Sequence, residues 1–170
     1  MLHRHIECGH EWYVVPGNLK QGSGCPNCHD RPGVSTAKSL SRNPDWALSN
    51  CENYIIRWPD DEDAHKVGLT KVWYHRMHKH GSPEEVRRLT GIHRAGARWV
   101  EITVLRLTGN VPNHPRGIEI LADPEVGIRY FDLIAKRTPE HINRQGIRHL
   151  ILEGDPEWAS YWTDYLKERP

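Results

Sequence analysis

The 170-residue chain has no apolar run approaching eighteen residues, so no membrane-spanning helix is expected. It has no basic-then-apolar start, so no secretory leader is expected. It has almost no excess of either charge, 23 Lys and Arg against 22 Asp and Glu, so net charge names no partner. It has no internal repeat beyond a recurring helix-start pattern, and no low-complexity segment. An HExxH pattern is missing, which argues against a zinc hydrolase built on its histidines. Cysteine is scarce, at four residues: Cys8, Cys25, Cys28 and Cys51. Two of them lie close together in a histidine-rich segment, so metal is a better use for them than disulfides. With 26% charged and 37% hydrophobic residues, the composition fits a soluble, cytoplasmic protein.

The charge that is present is unevenly placed. Lys66 to Arg98 holds eight Lys and Arg against two acids, Glu84 and Glu85, and four histidines lie in the same span. A stretch of this kind is the expected footprint for a phosphate backbone. A solvated helix face would have the same composition. Most of the metal-capable groups are in the first thirty residues. Cys25-Pro26-Asn27-Cys28 forms a two-residue knuckle whose thiolates can share one zinc. His5-Ile6-Glu7-Cys8 repeats that spacing, with His3 and His10 as alternatives to His5. So small a module cannot fold on apolar burial alone, and the metal would supply the missing stability.

Secondary structure is read from periodicity and punctuation. Asn53 to Trp58 and His65 to Leu69 are apolar, β-rich runs around an acidic loop, Pro59 to Ala64, and predict an antiparallel hairpin. A helix is expected from about Thr70 through His80, stopped by Gly81. Ser82-Pro83-Glu84-Glu85 reads as a capping box and predicts a second helix over 83–90. The β-branched run over 99–107 predicts a third strand. Asp123-Pro124-Glu125, Thr138-Pro139-Glu140 and Asp155-Pro156-Glu157 each place a capping oxygen before proline and an acid in the first turn. A shorter helix starting near Asn113 to Pro115 would carry Glu119. Trp158, Tyr161, Trp162 and Tyr165 fall at helical spacing and predict a packing face. The expected fold is α+β, a small three-stranded antiparallel sheet flanked by helices, after an N-terminal zinc-binding module. The boundary is expected at about residue 50, with domains over 1–50 and 51–170.

Two resemblances sharpen this reading. Cys8-Gly9-His10-Glu11-Trp12 and Gly22-Ser23-Gly24-Cys25-Pro26-Asn27-Cys28 resemble the treble-clef zinc-ribbon modules over roughly residues 3 to 48. The resemblance implies a structural Zn2+ on Cys8, Cys25, Cys28 and His5, with histidine at position 5 where that family has cysteine. Tyr54-Ile55-Ile56, then Lys66-Val67-Gly68-Leu69-Thr70, then Arg76 and His80, resemble the GIY-YIG nuclease domain over about residues 52 to 125. The first triplet keeps only its tyrosine. The second keeps only its glycine, with lysine in place of tyrosine as in a known branch of the family.

The second resemblance implies a DNA endonuclease, with phage-borne homing and restriction enzymes as its settings and double-stranded DNA as its partner. Tyr54 would act as general base toward water, its phenol pKa lowered by Lys66 beside it, or would align the attacking water. Arg76 would hold phosphate in its planar fork, and His80, one turn on, would bond the phenol or the phosphate. A glutamate on the helix after the third strand would hold Mg2+ or a similar ion beside the leaving oxygen. Glu119 fits that place, and Glu125 is its rival. The alternative is a catalytically inactive zinc-containing protein that only binds nucleic acid. Oligomeric state has no signature in the sequence.

Overall fold

The computed structural model describes residues 2–4, 11–13, 36–117 and 119–168. Strands β1 (Leu2–Arg4) and β2 (Glu11–Tyr13) pair antiparallel, with His3 opposite Trp12. The expected zinc ligands His5, Cys8, Cys25 and Cys28 lie outside the described residues. Two short helices follow, α1 (Ala37–Ser41) and α2 (Pro44–Ala47). Thr36 caps the first through its hydroxyl, and Asn43, followed by proline, caps the second.

The centre is α+β, as expected. β3 (Asn50–Trp58) lies between β4 (Asp61–Thr70) and a third strand, all antiparallel. Helix α3 (Trp73–Lys79) follows β4, and Gly81 at φ +75° ends it.

The third strand is not where the local pattern placed it. The segment read as a helix over 83–90 is β5 (Glu84–His93), paired along β3. The proline and acids that mimic a helix start instead follow a turn in which Gly81 and Ser82 both have positive φ. Cross-strand pairs Arg57–Glu84 and Arg88–Glu52, together with burial of Ile92, favour the strand over the local helix signal. The segment read as a strand over 99–107 belongs to helix α4 (Arg94–Thr108). Its β-branched residues weaken helix propensity only slightly. Ala97, Val100, Glu101 and Val104, at helical spacing, are buried, and the three apolar ones pack on the sheet.

The later helices begin where the caps predict. They are α5 (Pro124–Ala135), α6 (Pro139–Glu153) and, after one 3-10 turn at Pro156–Trp158, α7 (Ala159–Glu168). Asp123, Thr138 and Asp155 each accept a backbone N–H of the first turn.

The sheet separates two apolar clusters. Cys51, Ile55, Val67 and Leu69 pack on Val100 and Val104 of α4 and Phe131 of α5. Tyr54, Ile56 and Trp58 face the other way, with Ala64 and Ile120, and Trp73 and Met77 of α3 cover them. A third cluster joins Leu40 and Ala47 of α1 and α2 to Ile147, Leu150 and Trp162, so it crosses position 50. The aromatic stripe of the last helix packs as expected. Trp162 is fully buried, with Tyr161 and Tyr165 edge-on to it.

Candidate active site

The register of the hairpin sets the site. Tyr54 lies opposite Gly68 and Ile56 opposite Lys66, so the four side-chain positions share one face of the sheet. Tyr54 is 1% exposed. Its ring lies across Gly68 so closely that a Cβ there would be 2.5 Å from the phenol oxygen. Trp73 of α3 meets the ring edge-on at 5.6 Å, and the Arg88 guanidinium covers Trp73 at 4.5 Å. The glycine is therefore a steric requirement of the tyrosine beside it.

Lys66 is 7% exposed, and its ammonium is paired with Glu119. The partner comes from an extended segment rather than the expected short helix. Gly117 N–H closes a turn onto His114, and residues 119–121 then run antiparallel along the outer edge of β4. Val67 N–H donates to the Glu119 carbonyl at 3.1 Å, and Leu121 N–H to that of His65 at 2.8 Å. The helical placement of Glu119 is thus corrected, although its carboxylate does reach the site. Glu125, its rival, is exposed on the first turn of α5, in a surface depression shared with Arg129 and Asp132.

Because β5 is the third strand, the helix after it is α4, and the one acid of that helix is Glu101. Glu101 is 5% exposed and paired with Arg98. Burial lifts its carboxyl pKa; Arg98 opposes this, Glu119 adds to it, and Lys66 opposes it. Glu101 thus lies in the field of the Lys66–Glu119 pair. The β-branched run over 99–107 points to a strand and so hides Glu101 as a helix residue. The helical spacing of Ala97, Val100, Glu101 and Val104 is the signal that places an acid on a buried face.

Arg76 and His80 come from α3 and its C-cap. Arg76 donates from Nη2 to the Leu69 carbonyl at 3.3 Å. The carbonyl of His80 accepts Trp58 Nε1–H at 2.9 Å, and the two rings are edge-on at 6.0 Å. Burial, then the charges of Lys66, Arg76 and Lys79, lower the His80 pKa to about 4, with Glu119 opposing. Its ring is therefore neutral at pH 7, and its buried Nε2 has no hydrogen-bond partner. Such a nitrogen is open to a hydrogen bond, as donor or acceptor according to the tautomer.

The expected phenolate does not form at rest. Burial raises the Tyr54 pKa; Arg76 opposes it, and Glu101, Glu119 and Cys51 add to the rise. Desolvation outweighs the one cation that lowers it, and the charge of Lys66 is met by Glu119. Tyr54 is a neutral phenol, able to donate a hydrogen bond.

Among the described residues, no group of three or more His, Cys, Asp or Glu side chains is arranged to hold a metal ion. A Mg2+ ion does not require such a cage; it keeps several waters and takes one or two carboxylates plus substrate phosphate. Glu101 and Glu119 are carboxylates of that kind, each paired with a cation, Arg98 and Lys66 respectively.

Half of the eight cations in the basic stretch meet carboxylates. Lys66 pairs with Glu119, Arg87 with Asp132, Arg88 with Glu52 and Glu85, and Arg98 with Glu101. Arg94 is buried, with its guanidinium 5.3 Å from the Trp46 ring centroid. Lys71 and Lys79, around α3, make no ion pair among the described residues. No helix of the described residues is long and apolar enough to cross a membrane. No family model, curated protein or solved structure matches the chain.

Proposed function

We propose that the chain is a divalent-metal-dependent DNA endonuclease of the GIY-YIG type. The observation that carries the reading is the Tyr54–Gly68 pairing, with the phenol against the glycine and Lys66, Arg76, His80, Glu101 and Glu119 in one electrostatic field around it. Arg76 binds a non-bridging phosphate oxygen with the part of its fork that Leu69 does not occupy. Tyr54 donates to, and so aligns, the attacking water. The neutral His80 ring would hydrogen-bond the phenol or the phosphate, and the water's proton would pass to solvent. Lys66, paired with Glu119 at rest, would turn its charge to the phosphate where Glu119 turns to the divalent cation. Glu101 and Glu119 would hold a divalent cation, which supplies charge stabilisation at the leaving oxygen. The zinc-ribbon segment would add a structural Zn2+ and a second grip on DNA.

A second reading, a catalytically inactive DNA-binding protein, is favoured by the near-complete burial of Tyr54 and its raised pKa. Incubating purified protein with plasmid and Mg2+ separates the two. Wild type should nick or linearise the plasmid, and a chelator should stop it. Tyr54→Phe should fold and bind DNA yet cleave at least about a hundredfold more slowly, the low end for losing an acid–base group. Wild-type cleavage by Tyr54→Phe under single-turnover conditions would remove the tyrosine from the mechanism. DNA binding without any cleavage would leave the second reading.

A further inference from the structure

The geometry points to the outward face of α3 as the surface that receives the DNA backbone beside the cleaved bond. This rests on the nuclease reading and adds the docking element to it. The helix has seven residues, roughly 10 Å at 1.5 Å per residue. One side is turned into the protein, where Trp73, Arg76, Met77 and the capping His80 are half-buried toward Tyr54. The other side is open. Tyr74 and His78 form one exposed i,i+4 stripe, His75 and Lys79 form the next, and Lys71 is exposed just before the helix. No acid occurs from Lys71 to Gly81.

The charge pattern selects the occupant. Elsewhere in the basic stretch, Arg87, Arg88 and Arg98 already meet carboxylates, and a polyanion gains little by competing with those pairs. Lys71 and Lys79 have no such partner among the described residues, so phosphate can replace their counterions. Arg76 belongs to the same helix, so a strand whose scissile phosphate sits on its guanidinium runs on past the exposed side. Tyr74, at 74% the most exposed aromatic ring among the described residues, offers an apolar face to a sugar or a base there.

Binding of the full-length protein to a labelled DNA duplex, without added divalent metal and over a series of NaCl concentrations, tests the surface. The slope of log affinity against log salt should fall by about 2 in Lys71→Gln/Lys79→Gln, since each phosphate contact contributes about 0.9. Tyr74→Ala should weaken binding about fivefold or more and leave the slope alone. Arg57→Gln/Arg87→Gln, which removes two cations already paired with Glu84 and Asp132, should keep the wild-type slope. A wild-type slope in Lys71→Gln/Lys79→Gln overturns the surface, as does a loss confined to Arg57→Gln/Arg87→Gln; neither touches the nuclease reading if plasmid is still cut. A wild-type protein with a flat salt series, or one that binds acidic lipid vesicles and no duplex, overturns both.

Discussion

At the scale of single residues, the site is a contest between burial and charge. Tyr54 and Glu101 are both pushed toward their neutral forms by burial, and each is opposed by one arginine, Arg76 and Arg98 respectively. The two carboxylates are not equivalent. Glu101 sits on a helix anchored in the core, whereas Glu119 hangs from an edge segment and already neutralises Lys66. Glu101→Gln should therefore abolish cleavage at every Mg2+ concentration. Glu119→Gln should raise the Mg2+ needed for half-maximal rate and keep measurable cleavage. The reverse ranking in a metal titration would make Glu119 the principal ligand. His80 gives a prediction for stability. Its pKa of about 4 in the folded protein lies below the ordinary 6.5, so between those values the unfolded chain binds more protons. Stability should fall as pH drops from about 6.5 and level off below about 4. Allowing for partial exposure, the His80 share is about 1–2 kcal/mol. Buried His149, also lowered by burial, acts in the same direction. Thermal melts of His80→Gln should show a shallower acid dependence than wild type; parallel curves would mean the ring is not desolvated.

At the scale of elements, the informative contact is the crossing of α4 and α6. A Cβ on Gly146 would lie 2.3 Å from the Gly96 nitrogen and 2.4 Å from the Ala95 carbonyl carbon, both backbone atoms that cannot step aside. Helix propensity alone predicts that Gly146→Ala stabilises by about 1 kcal/mol. The crossing predicts the opposite sign, a loss of about 1–3 kcal/mol from overpacking. Chemical denaturation decides between them, and a stabilised Gly146→Ala would mean the two helices are farther apart. The elements also show where local reading stops. Ser82-Pro83-Glu84-Glu85 has every feature of a helix start, yet the chain there is strand β5, because the free edge of β3 was available to it. Strand pairing is a long-range event, and no local window contains it.

At the scale of the whole molecule, one small sheet separates an aliphatic cluster from the cluster that holds the candidate site. The face toward α4 is closed by aliphatic packing, and the face toward α3 carries Tyr54 and Lys66. The N-terminal knuckles predict one zinc per chain. Elemental analysis of protein purified without added metal should find it, and Cys25→Ser should lose it. Tryptophan fluorescence of the core should then still report a folded hairpin domain, since Trp58, Trp73 and Trp162 pack among residues 36 to 168. Full zinc occupancy in Cys25→Ser would reassign the ligands.

Local pattern along the chain sets the hairpin, the α3 helix with its glycine stop and the three proline-marked helix starts. Each of these is a local signal: alternation, a cap, a turn or a fixed spacing. The register that places Tyr54 against Gly68 comes from strand pairing, with a shift between Arg57 and Trp58. Long-range packing selects which segment becomes the third strand, and with it which helix follows that strand and which glutamate that helix carries. It also decides which cations remain open to a partner, because Arg87 meets Asp132 and Arg88 meets Glu52 across gaps of 45 and 36 residues. Charge counted along a chain ignores such pairing. Desolvation is likewise a property of the packed molecule, which is why the lysine two residues before Gly68 suggested a phenolate and burial of the ring keeps the proton on Tyr54.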